Sequence, residues 1–195
     1  MVPGMFLTGW VWLQLRRSIA ILPQDPVLFG GSVRENLDPF EEHAEDALWS
    51  ALEQAQMSEK IRALPEALDA PCGLGGEGFS VGERQLLCLA RAVLKKEAQI
   101  LVMDEATASV DAETDAVLQS MVRQVFTTHT VLAIAHRINT IIDYDKIVCL
   151  DSGRVVECDS PAELLASGGH FAQLCVDAGV SLSSINDAGN AGGAQ

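Results

Sequence analysis

The sequence predicts an α/β fold: a parallel sheet, a largely helical stretch inserted between its strands, and a C-terminal β-hairpin. Three observations carry this. Ile100-Leu101-Val102-Met103 and Thr130-Val131-Leu132-Ala133-Ile134-Ala135 are short runs of mostly large apolar residues, the pattern of strands buried on both faces in a parallel sheet. Between Ser18-Ile19-Ala20-Ile21-Leu22, a further strand candidate, and Ile100, apolar residues recur with helical spacing. Lys146–Leu150 and Arg154–Cys158 are joined through Asp151-Ser152-Gly153, a hairpin signal.

The bulk properties fit one domain. The chain has 195 residues, with 48% apolar and 21% charged, both ordinary for a globular protein. A net charge of −14 argues against a nucleic-acid surface, which needs a basic patch. Cys72, Cys88, Cys149, Cys158 and Cys175 show no paired or metal-ligand spacing, so reduced thiols are expected. Met1 to Leu15 is apolar and aromatic, too short to span a bilayer, and has no basic residue before its apolar part. Residues 1–12 are left unassigned.

In chain order, the Ser18–Leu22 strand stops at Pro23, with Gln24 at its exit. From Gly30 a helical region opens through Val33-Arg34-Glu35-Asn36-Leu37-Asp38-Pro39. Apolar residues at 44, 47, 48, 51, 52 and 55 then mark one helix face. A shorter helix from about Ser58 ends before Pro65. Leu74-Gly75-Gly76-Glu77-Gly78 is glycine-rich but lacks the lysine and hydroxyl of a phosphate-cradling G-x-x-x-x-G-K-[ST] loop. Ser80-Val81-Gly82-Glu83 has capping-box spacing and starts a helix of about four turns along Leu86, Leu87, Leu89, Ala90, Val93 and Leu94. Asp111 is suited to cap a helix from Ala112 to Phe126. Ser160-Pro161-Ala162-Glu163 supplies another capping box, Gly168-Gly169 a stop, and Phe171–Cys175 a short final helix. Residues 179–195 carry almost no large apolar side chain and are expected to be disordered.

Asp104 and Glu105 end the most apolar strand, on the edge where open α/β sheets bind ligands. Two adjacent carboxylates there are costly unless a cation or polar substrate compensates. A metal ion beside Asp104, with Glu105 acting as a base on water, accounts for the pair; an acidic turn is the plainer alternative.

Ile100-Leu101-Val102-Met103-Asp104-Glu105-Ala106-Thr107-Ala108-Ser109-Val110-Asp111 resembles the Walker B and D-loop segment of the ATP-binding cassette ATPases. IAILPQDPVLF resembles their Q-loop, FSVGERQLLCLARA their signature motif, and IAHR, with His136, their H-loop. VRENLDP is similar to the C subfamily, the multidrug-resistance-associated proteins, in their second nucleotide-binding domain. The resemblance covers residues 13–178, with a helical subdomain over about 33–96 facing a transmembrane partner. It implies a P-loop NTPase-type sheet, ATP and Mg2+ as ligands, and hydrolysis coupled to transport from the cytoplasmic face of a membrane. Glu105 becomes the general base, Asp104 a metal ligand, Gln24 a contact to metal and attacking water, and His136 a γ-phosphate contact. Ser80, Val81, Gly82 and Glu83 meet the ATP held by a second nucleotide-binding domain, across whose interface Asp111 reaches. The family has glutamine where Glu83 stands, so a negative charge opposes the phosphate unless Arg84 or Arg91 folds over it.

No Walker A loop occurs in these 195 residues. The expected consequence is a sheet without a central strand, its Thr130–Ala135 strand having a free edge and an uncovered face. Three readings stay open: the catalytic part of an exporter ATPase, a non-hydrolysing module that lends its signature helix to another domain's ATP, and a soluble ATPase of the same type.

Overall fold

The computed structural model describes residues 9–106, 110–135 and 137–180, in two compact units, Met1–Ile134 and Ala135–Gln195. In the first, β1 (Ile19–Leu22), β2 (Ile100–Asp104) and β3 (Thr130–Ile134) form a parallel sheet in that order. The register pairs Leu22 with Met103 and Met103 with Ala133, so the three C-terminal ends share one edge.

The sheet is buried on one face. Ala20, Leu22, Leu101 and Met103 point into the core, whereas Ile21, Leu132 and Ile134 are 62%, 57% and 54% exposed. The expectation of strands buried on both faces is therefore corrected. Successive strand residues alternate between faces, and the described helices cover only one. The register sets Ile21, Val102 and Leu132 in a single row on the open face. Among the described strands β3 pairs with β2 alone, which leaves it at the sheet edge as expected.

Among the described residues, six α-helices belong to this unit: α1 (Gly9–Arg17), α2 (Val33–Leu37), α3 (Glu45–Gln54), α4 (Ser58–Arg62), α5 (Val81–Leu94) and α6 (Ala112–Val125). α1 runs across the boundary drawn at residue 12. Its last turn is tied to the unit by Lys95, whose Nζ donates to the Arg16 and Ile19 carbonyls at 2.6 Å each. α3 buries Leu48, Ala51 and Leu52, the face read from its periodicity. α5 is buried on nearly every side and forms the centre of the unit, with Leu87, Leu89 and Ala90 among its inward residues. α6 buries Leu118, Met121 and Val122.

The second unit is built on β4 (Ile147–Asp151) and β5 (Arg154–Asp159), an antiparallel hairpin whose first strand is shifted one residue along the chain from the expected Lys146–Leu150 and whose second extends one residue past Cys158. Ser152 and Gly153 have φ of 49° and 75°, the left-handed pair of a two-residue type I′ turn whose twist matches the strands. α7 (Pro161–Ser167) ends at Gly168, φ 67°, and α8 (His170–Asp177) extends past the short helix expected there. The Glu157 carboxylate accepts from the His170 and Phe171 N–H groups at 2.7 and 2.8 Å, fixing the start of α8.

The capping box expected at Ser160 is only half formed. Ser160 Oγ accepts from the Glu163 N–H, but the Ser160 N–H donates to Asp159 Oδ1 at 2.8 Å. With that position taken, the Glu163 side chain bonds the Asp159 carboxyl instead, which raises the Glu163 pKa and helps lower that of Asp159.

All five cysteines are free thiols, and all but Cys158 are buried. Among the described residues, no helix is long and apolar enough to cross a membrane.

Candidate functional site

Gln24, Asp104 and Glu105 share the C-terminal edge of the sheet. Gln24 lies two residues beyond Leu22, and Asp104 one beyond its partner Met103. The edge continues through Asp104 opposite Ile134, and the Glu105 N–H donates to the Ile134 carbonyl at 3.0 Å. Glu105 then turns with φ of 47°, a left-handed conformation that costs a non-glycine residue about 1–3 kcal/mol. Of the other described non-glycine residues with positive φ, Gln56 and Ser152 lie in turns, Ala67 opens a short 3-10 helix and Glu41 lies in a loop; Glu105 alone of these follows directly on a strand of the parallel sheet. Asp104 is exposed and Glu105 half-buried. His136 and residues 107–109 lie outside the described residues.

A second group forms at the N-terminus of α5. Ser80 Oγ accepts from the Glu83 N–H at 3.2 Å, and the Ser80 N–H donates to Glu83 Oε2 at 2.8 Å, the reciprocal box predicted from the sequence. Val81 is exposed at 36%. Gly82 is buried: a Cβ placed on it would meet Thr114 Cγ2 at 2.8 Å. Its missing side chain lets the first turn of α5 close on the first turn of α6. Thr114 is in turn held by Asp111, whose carboxylate accepts from the Thr114 N–H at 2.9 Å and hydroxyl at 2.8 Å. Those two bonds hold the Asp111 carboxyl below its usual range. Asp111 thus caps α6 as expected, and the structure joins it to Ser80–Glu83 through the Gly82–Thr114 contact.

Neither arginine proposed as a counter-charge reaches Glu83. Arg84 Nη1 donates to the Phe79 carbonyl at 3.0 Å, and Arg91 Nε to the Asn36 carbonyl at 2.6 Å. The Lys60 ammonium of α4 bonds Glu83 Oε1 instead. Burial alone would raise the Glu83 pKa; the bond from Lys60 and the Ser80 N–H outweigh it and hold the carboxyl below its usual range.

A third feature links the two groups. Gln85 is fully buried, and its Nε2 donates to the Pro23 carbonyl at 2.8 Å, one residue before Gln24. Further along the helix, Arg91 Nη1 reaches the Val27 carbonyl at 3.5 Å. The segment leaving β1 is therefore strapped to α5.

The ABC transporter family profile matches residues 5–108 of the 195. The chain belongs to the ABC transporter family. It is 49% identical over 166 residues to ATP-binding cassette sub-family C member 3 of Mus musculus, covering 85% of this chain and 11% of that protein. To sub-family C member 4 of Homo sapiens it is 55% identical over 151 residues, 77% of this chain and 11% of the relative. A probable multidrug resistance-associated protein of Drosophila melanogaster, lethal(2)03659, is 54% identical over the same length. The fold matches a bacterial Atm1-family ABC exporter solved with ATP bound, with a TM-score of 0.77 and 34% identity over 86% of this chain and 29% of that one. The chain thus spans about a tenth, 11%, of the length of the curated relatives it matches.

The segments that resemble the family's Q-loop and Walker B motif meet at the sheet edge, and those that resemble its signature motif and D-loop meet at the paired helix ends. Asp104 and Gln24 offer hard oxygen donors of the kind Mg2+ takes, a cation usually held by one or two protein ligands plus phosphates. Among the described residues no group of three or more His, Cys, Asp or Glu could cage a metal. The glycine-rich loop is no phosphate cradle: the Gly76 N–H turns inward to the Gly73 carbonyl, and Gly76 packs on Arg84 and Leu28.

Sequence reasoning overlooked Gln85, Lys60 and Thr114. Gln85 had a readable signal, a polar residue four before Leu89 on the apolar face of α5, where burial demands a partner. Lys60 had none, because its partner lies 23 residues away on a different helix.

Proposed function

We propose that the chain is part of the nucleotide-binding domain of a sub-family C-type exporter, in which ATP binding and hydrolysis drive transport through membrane-spanning domains. Asp104 and Gln24 would hold Mg2+, which would supply positive charge to offset that of the phosphates. Glu105 takes a proton from the attacking water. His136 contacts the γ-phosphate. Ser80, Val81 and Gly82, with the positive end of the α5 dipole, face the nucleotide of a second such domain, and Asp111 lies along the same interface. Membrane association follows from the transmembrane partner, with this domain on the cytoplasmic side.

The observation that carries the reading is Glu105 itself: a carboxylate at the sheet's ligand edge, held in a costly backbone conformation beside Asp104. In the longer protein, with its phosphate loop, Glu105→Gln should retain ATP binding and lower turnover by at least about 100-fold, the scale of a lost general base. Asp104→Asn should weaken Mg2+-dependent binding instead. Unchanged turnover in Glu105→Gln would remove the assignment. It would favour the alternative in which this chain hydrolyses nothing and lends its signature helix to a partner's ATP, a role for which the assembled end of α5 suffices.

A further inference from the structure

We propose that Lys60 is a positioning residue for the signature helix, drawing Glu83 onto the helix cap and cancelling its charge so that the end of α5 can still receive a phosphate. This rests on the reading of α5 given above. Glu83 puts a carboxylate in the first turn of α5, beside the helix end that this reading has receive a phosphate. Both carboxylate oxygens are engaged: Oε2 accepts from the Ser80 N–H at 2.8 Å, and Oε1 is bonded by Lys60 Nζ. Lys60 is itself fixed a second time, its ammonium lying 5.7 Å from the centroid of the Phe79 ring. Phe79 is buried and immediately precedes Ser80, so one turn of chain offers the lysine both a carboxylate and an aromatic face. Arg84 and Arg91 are committed to carbonyls. Lys60 is therefore the cation that converts Glu83 from a repelling charge into part of the cap.

The test is a double-mutant cycle on the 195-residue chain. Its association is measured with a second nucleotide-binding domain that carries its own phosphate loop and is loaded with Mg-ATP. At low salt, Lys60→Met should weaken association about tenfold, equivalent to ~1.4 kcal/mol, and the loss should fade toward about 1 M salt. In the Glu83→Gln background the same change should shift association by less than about twofold, because no charge remains to be offset. Lys60→Arg, which keeps the cation, should stay within about threefold of the unmodified chain. A tenfold loss that persists in the Glu83→Gln background overturns the proposal, as does no loss at all, or a loss in Lys60→Arg as large as in Lys60→Met. Val81→Trp, at the exposed first turn of α5, separates the two failures. If association is absent or ignores that bulk, α5 does not face the nucleotide, and the functional reading falls together with this inference.

Discussion

Gly82 is packed so closely that one methyl group decides the sign of a substitution. Glycine to alanine within a helix ordinarily gains about 0.5–1 kcal/mol. Here the new Cβ would sit 2.8 Å from Thr114 Cγ2 and 3.1 Å from its Oγ1, and overpacking of this kind costs about 1–3 kcal/mol. Gly82→Ala is therefore expected to lower thermal stability by a net ~1 kcal/mol. Adding Thr114→Ser removes the Cγ2 but keeps the hydroxyl that bonds Asp111, and should recover that loss. Denaturant melts of the two variants check it; equal stability of the single and double changes would show that α6 yields freely. The residue types around this contact were legible in the sequence, since Ser80 and Asp111 occupy cap positions that their side chains explain. The contact itself was not, because it joins two helix ends separated by a strand and depends on tertiary packing.

At the scale of elements, α5 connects what the linear motifs keep apart. Its N-terminus carries the signature residues, and its buried Gln85 holds the carbonyl just before the Q-loop glutamine. Gln85→Leu nearly keeps the volume but leaves the half-buried Pro23 carbonyl without that donor, a change costing about 1 kcal/mol. Amide exchange at Gln24 and Asp25 should then rise more than in α3, whose packing does not involve that bond. Uniform acceleration across both segments would mean that Gln85 serves general stability only. The helices were the most readable elements, because periodicity marks α3, a cap marks α6 and both agree at α5. The strands were placed correctly, yet their burial was misjudged. A run of apolar residues shows that a strand belongs in a core, but not whether both of its faces are covered.

For the whole molecule, charge and the missing loop point the same way. Gln24, Asp104 and Glu105 can hold a cation and activate water, but none supplies the nest of backbone N–H groups and the lysine that offset a triphosphate. With a net charge of −14, the remaining surface gives no compensation. The 195-residue polypeptide by itself is expected to bind Mg-ATP with a Kd weaker than about 1 mM, less than ~4 kcal/mol. Calorimetry on the purified chain checks this. Micromolar binding, with turnover abolished by Glu105→Gln, would show that the other residues suffice.

The pairing of Ile19 with Ile100 also dictates an order of assembly. β1 and β2 are separated in the chain by the helices α2 to α5, so they cannot meet until a long loop has closed, whereas α3 and α4 need only local contacts. The helical segment should therefore acquire structure first and act as the clamp that brings the strand ends together. In pulse-labelled refolding, amides of α3 and α5 should be shielded before those of β1 and β2; simultaneous shielding would mean that sheet and helices condense in a single step.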